Sequence, residues 1–265
     1  MRFELDADDG ARLIGEVHGP AEAPAVLFLN SIGCDRRLWD AQVASLSAEV
    51  RCVVFDARGH GESAAPDGDY AIARLGRDAL AVLDGLAVTQ AHVCGLSLGG
   101  LIGQWLAAEA PSRIATLTLA NTASRIGSDE AWETRRRKVL AEGLESIADM
   151  AMERFFSDDF RAAHAAFVAE QRAAFVAGSA VGYAGCCAAL RDADLTPRLA
   201  AIGTPTLVIG GEFDVSTTPA QAAQLAGGIE AARLVMMAAG HLSNLEQPEA
   251  FTAALRAHLT GTLSA

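Results

Sequence analysis

Lysine is almost missing from this 265-residue chain: Lys138 stands alone among 21 basic residues, and 33 acidic residues outnumber them. The formal charge of −12 excludes a nucleic-acid partner or an anionic membrane surface, since neither attracts an acidic protein. Cysteine is scarce too. Its five residues are an odd number without paired spacing, which excludes a disulfide framework. Cys52 and Cys94 fall in expected strands, the adjacent Cys186 and Cys187 cannot bridge each other, and Cys34 has no activating base nearby in sequence. No apolar run reaches the roughly 20 residues of a membrane span, and Met1 to Asp9 is acidic with no signal-like core. The expected location is therefore the cytoplasm. Clustered His and Cys spacings are also absent, so no metal and no organic cofactor are expected.

What the chain has is apolar bulk. At 51% hydrophobic it can bury one large α/β core with room for an inserted subdomain. The organising stretch is Ala91 to Gly100, a short apolar strand that runs into Gly95-Leu96-Ser97-Leu98-Gly99 and then into the apolar helix beginning Leu101-Ile102-Gly103. Strand, tight turn and helix in this order put Ser97 on a strained corner, with glycines where side chains would collide. Its hydroxyl is expected to stand exposed at the C-terminal edge of a sheet.

The remaining elements support such a sheet. Residues 2–8 and 11–18 read as strands joined at Asp9-Gly10, a pair suited to a two-residue hairpin turn. Residues 24–30 and 50–55 are apolar runs suited to strands covered on both faces, with a helix from Trp39 to Leu46 between them. A helix from about Ile72 to Leu86 leads back to the serine strand, and a further strand spans Ile114 to Ala120. From Asn121 to Arg198 the periodicity is helical only, over 131–140, 147–156, 163–175 and 180–190. Strands resume at 204–209 and 233–237, and a last helix runs from Pro248 to Leu259. The expected domains are a core of residues 1–120 and 199–265 and a helical cap of residues 121–198.

Acyl transfer by serine requires a base, a carboxylate that orients the base, and N–H donors for the oxyanion. Asp214 and His241 follow Ser97 at strand ends, in the order nucleophile, acid, base. The Leu98 backbone N–H and that of Ile32, in the small-residue loop Asn30-Ser31-Ile32-Gly33, suit the oxyanion. Glu212 is the rival acid. Asp56 and His60 precede the serine, and a structural loop role is expected of both.

These motifs resemble the α/β-hydrolase superfamily and, more narrowly, the 3-oxoadipate enol-lactonases of the protocatechuate branch of the β-ketoadipate pathway. The likeness runs nearly end to end. It rests on residues 30–33, on Phe55 to Ser63, on Gly95 to Leu106, and most tellingly on Gly182 to Asp192 and on His241-Leu242-Ser243-Asn244-Leu245-Glu246-Gln247-Pro248. The family usually has Leu where Ile32 stands and Met where Leu98 stands, and both supply backbone N–H. The resemblance implies a mostly parallel eight-stranded sheet flanked by helices, an inserted helical cap, and cofactor-free opening of a small enol-lactone in aromatic catabolism. It also implies a partner for the substrate carboxylate: within Arg135-Arg136-Arg137-Lys138, Arg135 or a neighbour is the candidate, a solvated helix face is the other reading of that run, and Trp132 beside it either lines the pocket or packs the cap. The alternatives are a broad carboxylesterase, a cofactor-free perhydrolase, or a ligand-binding receptor that retains a triad.

Overall fold

The computed structural model describes residues 1–230 and 232–261. Eight strands form one sheet: β1 (Arg2–Asp6), β2 (Arg12–His18), β3 (Ala25–Leu29), β4 (Arg51–Phe55), β5 (Ala91–Leu96), β6 (Ile114–Ala120), β7 (Thr206–Gly211) and β8 (Ala232–Met237). Their spatial order is β1-β2-β4-β3-β5-β6-β7-β8, with β2 antiparallel to both its neighbours and every pair from β4 to β8 parallel. The chain leaves β3 for β4 on one side and returns to β5 on the other. Loops after β3 and β5 therefore part at the sheet's C-terminal edge, where open α/β sheets form crevices.

Helices α1 (Asp40–Leu46), α2 (Ile72–Gly85) and α3 (Leu98–Glu109) make the crossovers of the first half, and α9 (Pro219–Gly228), α10 (Ser243–Glu246) and α11 (Pro248–Leu259) belong to the second. α1 packs with α11, and α2 packs with α3. Strand β3 is buried at all five positions because both its faces are covered. Trp39, fully buried before α1, has its ring centroid 5.0 Å from that of Phe28 and 6.0 Å from that of Phe251, joining β3 to α11.

Between β6 and β7 lie α4 (Asp129–Glu142), α5 (Ala148–Phe155), α6 (Asp158–Ala163), α7 (Ala165–Val176) and α8 (Ala180–Asp192). The expected helix over 163–175 is divided: Ser157 caps α6 by accepting the Phe160 N–H, and the backbone breaks at His164 before α7 begins. α8 docks on the loop after β4 through glycines. A Cβ at Gly182 would lie 2.2 Å from the Gly59 carbonyl oxygen, so only Gly permits this approach. No single helix among the described residues is long and apolar enough to cross a membrane.

The hairpin differs from the expected two-residue turn. Ala7 N–H donates to Ala11 O at 2.8 Å and Gly10 N–H to Ala7 O at 2.9 Å, so the loop takes three residues, with Gly10 at φ 81°. A left-handed residue closing a three-residue loop follows the strand twist, and glycine takes it at no steric cost. The loop also supplies Asp9 to Arg58, whose buried guanidinium grips Asp78 of α2 with two bonds of 2.7 Å. Asp78→Ala would leave a buried cation short of its main partner. A loss of about 3 kcal/mol or more is expected in urea unfolding, against under 1 kcal/mol for Asp84→Ala at the exposed end of α2.

Candidate active site

Ser97 occupies the corner between β5 and α3 at φ 58°, a conformation rare for a residue with a side chain. The corner forms because glycines let the helix approach: a Cβ at Gly95 would lie 2.1 Å from Gly99 O, and one at Gly99 would lie 2.1 Å from Leu29 O. The start of α3 thus lies against the end of β3, beside the loop 30–33. Ser97 is 4% exposed, which corrects the expectation of an exposed hydroxyl. The sheet edge is covered by the inserted helices, whose length the serine motif does not report.

Asp214 follows β7 and is buried. Its Oδ2 accepts from His241 Nδ1 at 2.8 Å, Thr217 Oγ1 at 2.7 Å and Asn121 Nδ2 at 3.0 Å, while Oδ1 accepts the Ser216 and Thr217 N–H groups at 2.7 and 2.9 Å. Burial alone pushes the carboxyl up, but the His241 charge and these bonds outweigh it and hold the group at about 2. A carboxylate can only accept, so His241 Nδ1 carries the proton and Nε2 keeps its lone pair. Phe155 of α5 stacks on the imidazole at 6.3 Å with 14° between the planes. Glu212 is exposed and its side chain makes no bond to His241.

The structure joins these parts to Ser97 through Asn121, which at the end of its strand cannot carry the acid's charge but positions the residue that does. Ser97 N–H donates to Ala120 O at 3.0 Å, and its carbonyl accepts Thr122 Oγ1 at 2.8 Å. Between those two residues, Asn121 sends its amide to Asp214 and to Gly240 O at 3.1 Å, and its own Oδ1 accepts the Ser243 hydroxyl at 2.5 Å. Asn at a strand end, followed by a Thr, was the available signal, and nothing local tells where its amide points. Glu246 was missed similarly: its Oε1 accepts the Gly240 and Ser157 N–H groups and its Oε2 the Ser157 hydroxyl, which ties the histidine loop to the start of α6.

On the other side of the serine, Asn30 is fixed by donating to Phe55 O and accepting from Trp39 Nε1, both at 2.9 Å. Gly33 N–H donates to His60 Nε2 at 2.8 Å, so His60 braces the loop 30–33 from behind. Among the described residues, the N–H groups of Ile32 and Leu98 donate to no protein acceptor. Asp56 accepts from the Arg36 and Glu62 N–H groups and from the Arg36 guanidinium, which gives it a structural place. The Cys34 thiol is pushed up by burial and then by Asp35. Two hollows of about 400 and 430 Å³ meet at Gly33, Cys34 and Phe175, beside the loop and not over Ser97 itself.

Trp132 is buried in α4, and its indole donates to Ile126 O at 2.5 Å. Arg135 lies over its ring with the guanidinium carbon 4.5 Å from the centroid. The structure therefore brings these two candidates together.

The fold and the match of residues 24–248 to the α/β-hydrolase fold model place the chain in the α/β-hydrolase family. It is 42% identical to 3-oxoadipate enol-lactonase 2 of Acinetobacter baylyi, over 90% of each chain. The crystal structure of the enol-lactonase from Burkholderia xenovorans LB400 superposes with a TM-score of 0.95 at 40% identity, covering 97% of this chain and all of that one. A putative carbamate hydrolase, RutD, of Variovorax paradoxus is also similar, at 33% identity over 91% of this chain and 93% of its own.

His60 must be neutral to accept from Gly33, and burial holds its pKa below the ordinary 6.5. A base whose folded pKa is depressed leaves stability intact above about pH 6.5 and removes it as pH falls through that value. His60→Gln, which keeps an acceptor without a proton to gain, should flatten part of the fall in Tm between pH 7 and 5. His60→Ala should cost about 1–3 kcal/mol at pH 7 in denaturant unfolding, because the Gly33 N–H loses its buried partner.

Proposed function

We propose that the protein hydrolyses 3-oxoadipate enol-lactone to 3-oxoadipate in the cytoplasm, within aromatic catabolism, with Ser97 as nucleophile, His241 as base and Asp214 as the group that orients the base. The observation that carries this reading is the Asp214–His241 pair coupled through Asn121 to a left-handed serine, beside two unclaimed backbone N–H groups. Similarity to enol-lactonases supports the substrate class.

In this reading Ser97 Oγ attacks the lactone carbonyl and its proton passes to His241 Nε2. The tetrahedral oxyanion takes the Ile32 and Leu98 N–H groups, which face no competing acceptor. Collapse breaks the ring C–O bond, and the imidazolium returns its proton to the departing enol oxygen. An enol leaves more readily than an alkoxide. Water then attacks the acyl-enzyme with the same base, releasing 3-oxoadipate. Residues 121–198 act as the cap, Arg135 receives the substrate carboxylate, and Trp132 serves as its platform. A serine this buried suits a small acid better than a long or polymeric ester.

Loss of enol-lactone followed spectrophotometrically tests the assignment directly. Ser97→Ala should abolish turnover with the melting curve retained. Asp214→Asn should lower kcat by roughly 10⁴, since the wrong tautomer of the base is then favoured. Glu212→Gln should stay within a few-fold of the parent. A larger loss from Glu212→Gln than from Asp214→Asn would transfer the role to Glu212.

A further inference from the structure

The backbone N–H groups on both sides of His241 lead into the inserted helices. Before it, the Gly240 N–H donates to Glu246 Oε1 at 3.1 Å, and the same carboxylate accepts the Ser157 N–H at 2.8 Å and the Ser157 hydroxyl at 2.7 Å. After it, the Leu242 N–H donates to Phe155 O at 2.9 Å. The Phe155 ring stacks on the imidazole itself. Residues 155–157 thus hold the base at three points: the peptide before it, the peptide after it and the ring.

The fit at this junction is close. A Cβ at Gly240 would lie 2.6 Å from Ser157 N and 2.7 Å from Glu246 Oε1, so glycine is what lets the histidine loop meet the turn between α5 and α6. Glu246 takes its bonds from N–H and hydroxyl donors, and among the described residues no arginine pairs with it. A carboxylate only accepts, so the Ser157 hydroxyl spends its proton on Glu246 and its lone pair on the Phe160 N–H, at 3.3 Å, which caps α6. One hydroxyl therefore serves both the start of α6 and the hold on the histidine loop. Ser97 and His241 are buried, and the two hollows stop beside the loop 30–33, so a substrate reaches the pair only when part of the inserted segment moves.

We propose that Glu246 is a positioning residue through which the seating of residues 155–157 sets the placement of His241, so that the base is aligned with Ser97 only while the inserted helices are down. Asp214 holds one ring nitrogen of His241, and a single hydrogen bond leaves a ring free to tilt about it. The bonds to the flanking peptides and the stacked ring remove that freedom. A misplacement of roughly 1 Å costs as much as 10²-fold in rate, so a loosened loop is enough to idle the base. Closure over a substrate then completes the catalytic groups in the same movement that shuts the site. The inference rests on the reading of Ser97 and His241 as nucleophile and base, and it holds for any acyl group.

Two small neutral reagents test it. p-Nitrophenyl acetate reads turnover, and diethyl p-nitrophenyl phosphate reads the first chemical step alone: the Ser97 Oγ–P bond forms, p-nitrophenolate leaves, and the serine proton passes to His241. Glu246→Ala should lower kcat and the phosphorylation rate roughly tenfold or more, with KM changed by less than about threefold. Ser157→Ala, which alters no residue of the core, should lower both by about threefold or more. Glu246→Gln keeps an oxygen for the two N–H groups and an NH2 for the Ser157 hydroxyl, and should recover most of the loss seen with alanine. Rates are taken per serine titrated by the phosphate, so misfolded protein does not count. Hydrogen exchange read by mass spectrometry needs no turnover: Ser157→Ala should speed exchange over 238–245 as well as over 155–163, and leave β5 as it was. Parent rates in Glu246→Ala, an equal loss in Glu246→Gln, or faster exchange confined to the inserted helices would overturn the proposal. Failure of the parent to take the phosphate on Ser97, with exchange over 238–245 still answering to Ser157→Ala, would instead overturn the hydrolase reading.

Discussion

The side-chain amide of Asn121 is the interaction on which the arrangement of the site depends. Ser97 follows β5 and His241 follows β8, three strand spacings away, which is about 14 Å across the sheet. No single hydrogen bond spans that distance. Asn121 shortens it from the middle: its backbone N–H is held by Ile209 O at 2.7 Å, its flanking residues hold Ser97, and its amide reaches both Asp214 and the Gly240 carbonyl before His241. Its φ of 45° lies in the region that Asn tolerates better than most residues. The Asp214 carboxylate and the Gly240 carbonyl fix which way the amide faces, because both can only accept, and the Ser243 hydroxyl then donates to the Asn121 oxygen left on the other side.

The same amide bears on the charge of Asp214. Five donors surround this carboxylate, and neutral donors stabilise a buried charge without themselves carrying one. With its pKa at about 2, Asp214 stays ionised at any pH at which the imidazole can serve as a base. Its role in the proposed reaction is therefore to hold the tautomer and to face the imidazolium, not to receive a proton.

Local chemistry made much of this legible in the sequence. The glycines around Ser97 write a corner into ten consecutive residues, and apolar runs bounded by turn residues mark the strands. The order of Ser97, Asp214 and His241 needs only strand ends to be found. What escaped was non-local. Asn121, Ser243 and Glu246 act on partners between 89 and 122 residues away, and hydrogen bonds over such separations leave no period in the chain. The motif from His241 to Pro248 was informative as a resemblance, and the structure supplies its physics: Ser243 orients Asn121, Asn244 donates to Leu38 O, and Glu246 anchors Gly240. Burial of Ser97 was misjudged for the same reason, since a covering segment lies outside the motif it covers.

The inserted helices are tied to the core at two separate points, and this limits where selectivity can reside. At one, Gly59 and Gly182 bring backbone against backbone, while Tyr70 N–H donates to Gly185 O at 3.1 Å. At the other, Glu246 binds Ser157, and Leu242 N–H donates to Phe155 O at 2.9 Å. Contacts between backbones are not retuned by exchanging the side chains that line the site, so the placement of α5 and α8 over the sheet edge does not depend on those side chains. The side chains on their inner faces remain free to differ. Among them Tyr183, Phe175 and Phe155 follow ring on ring to the His241 imidazole and give it an apolar flank.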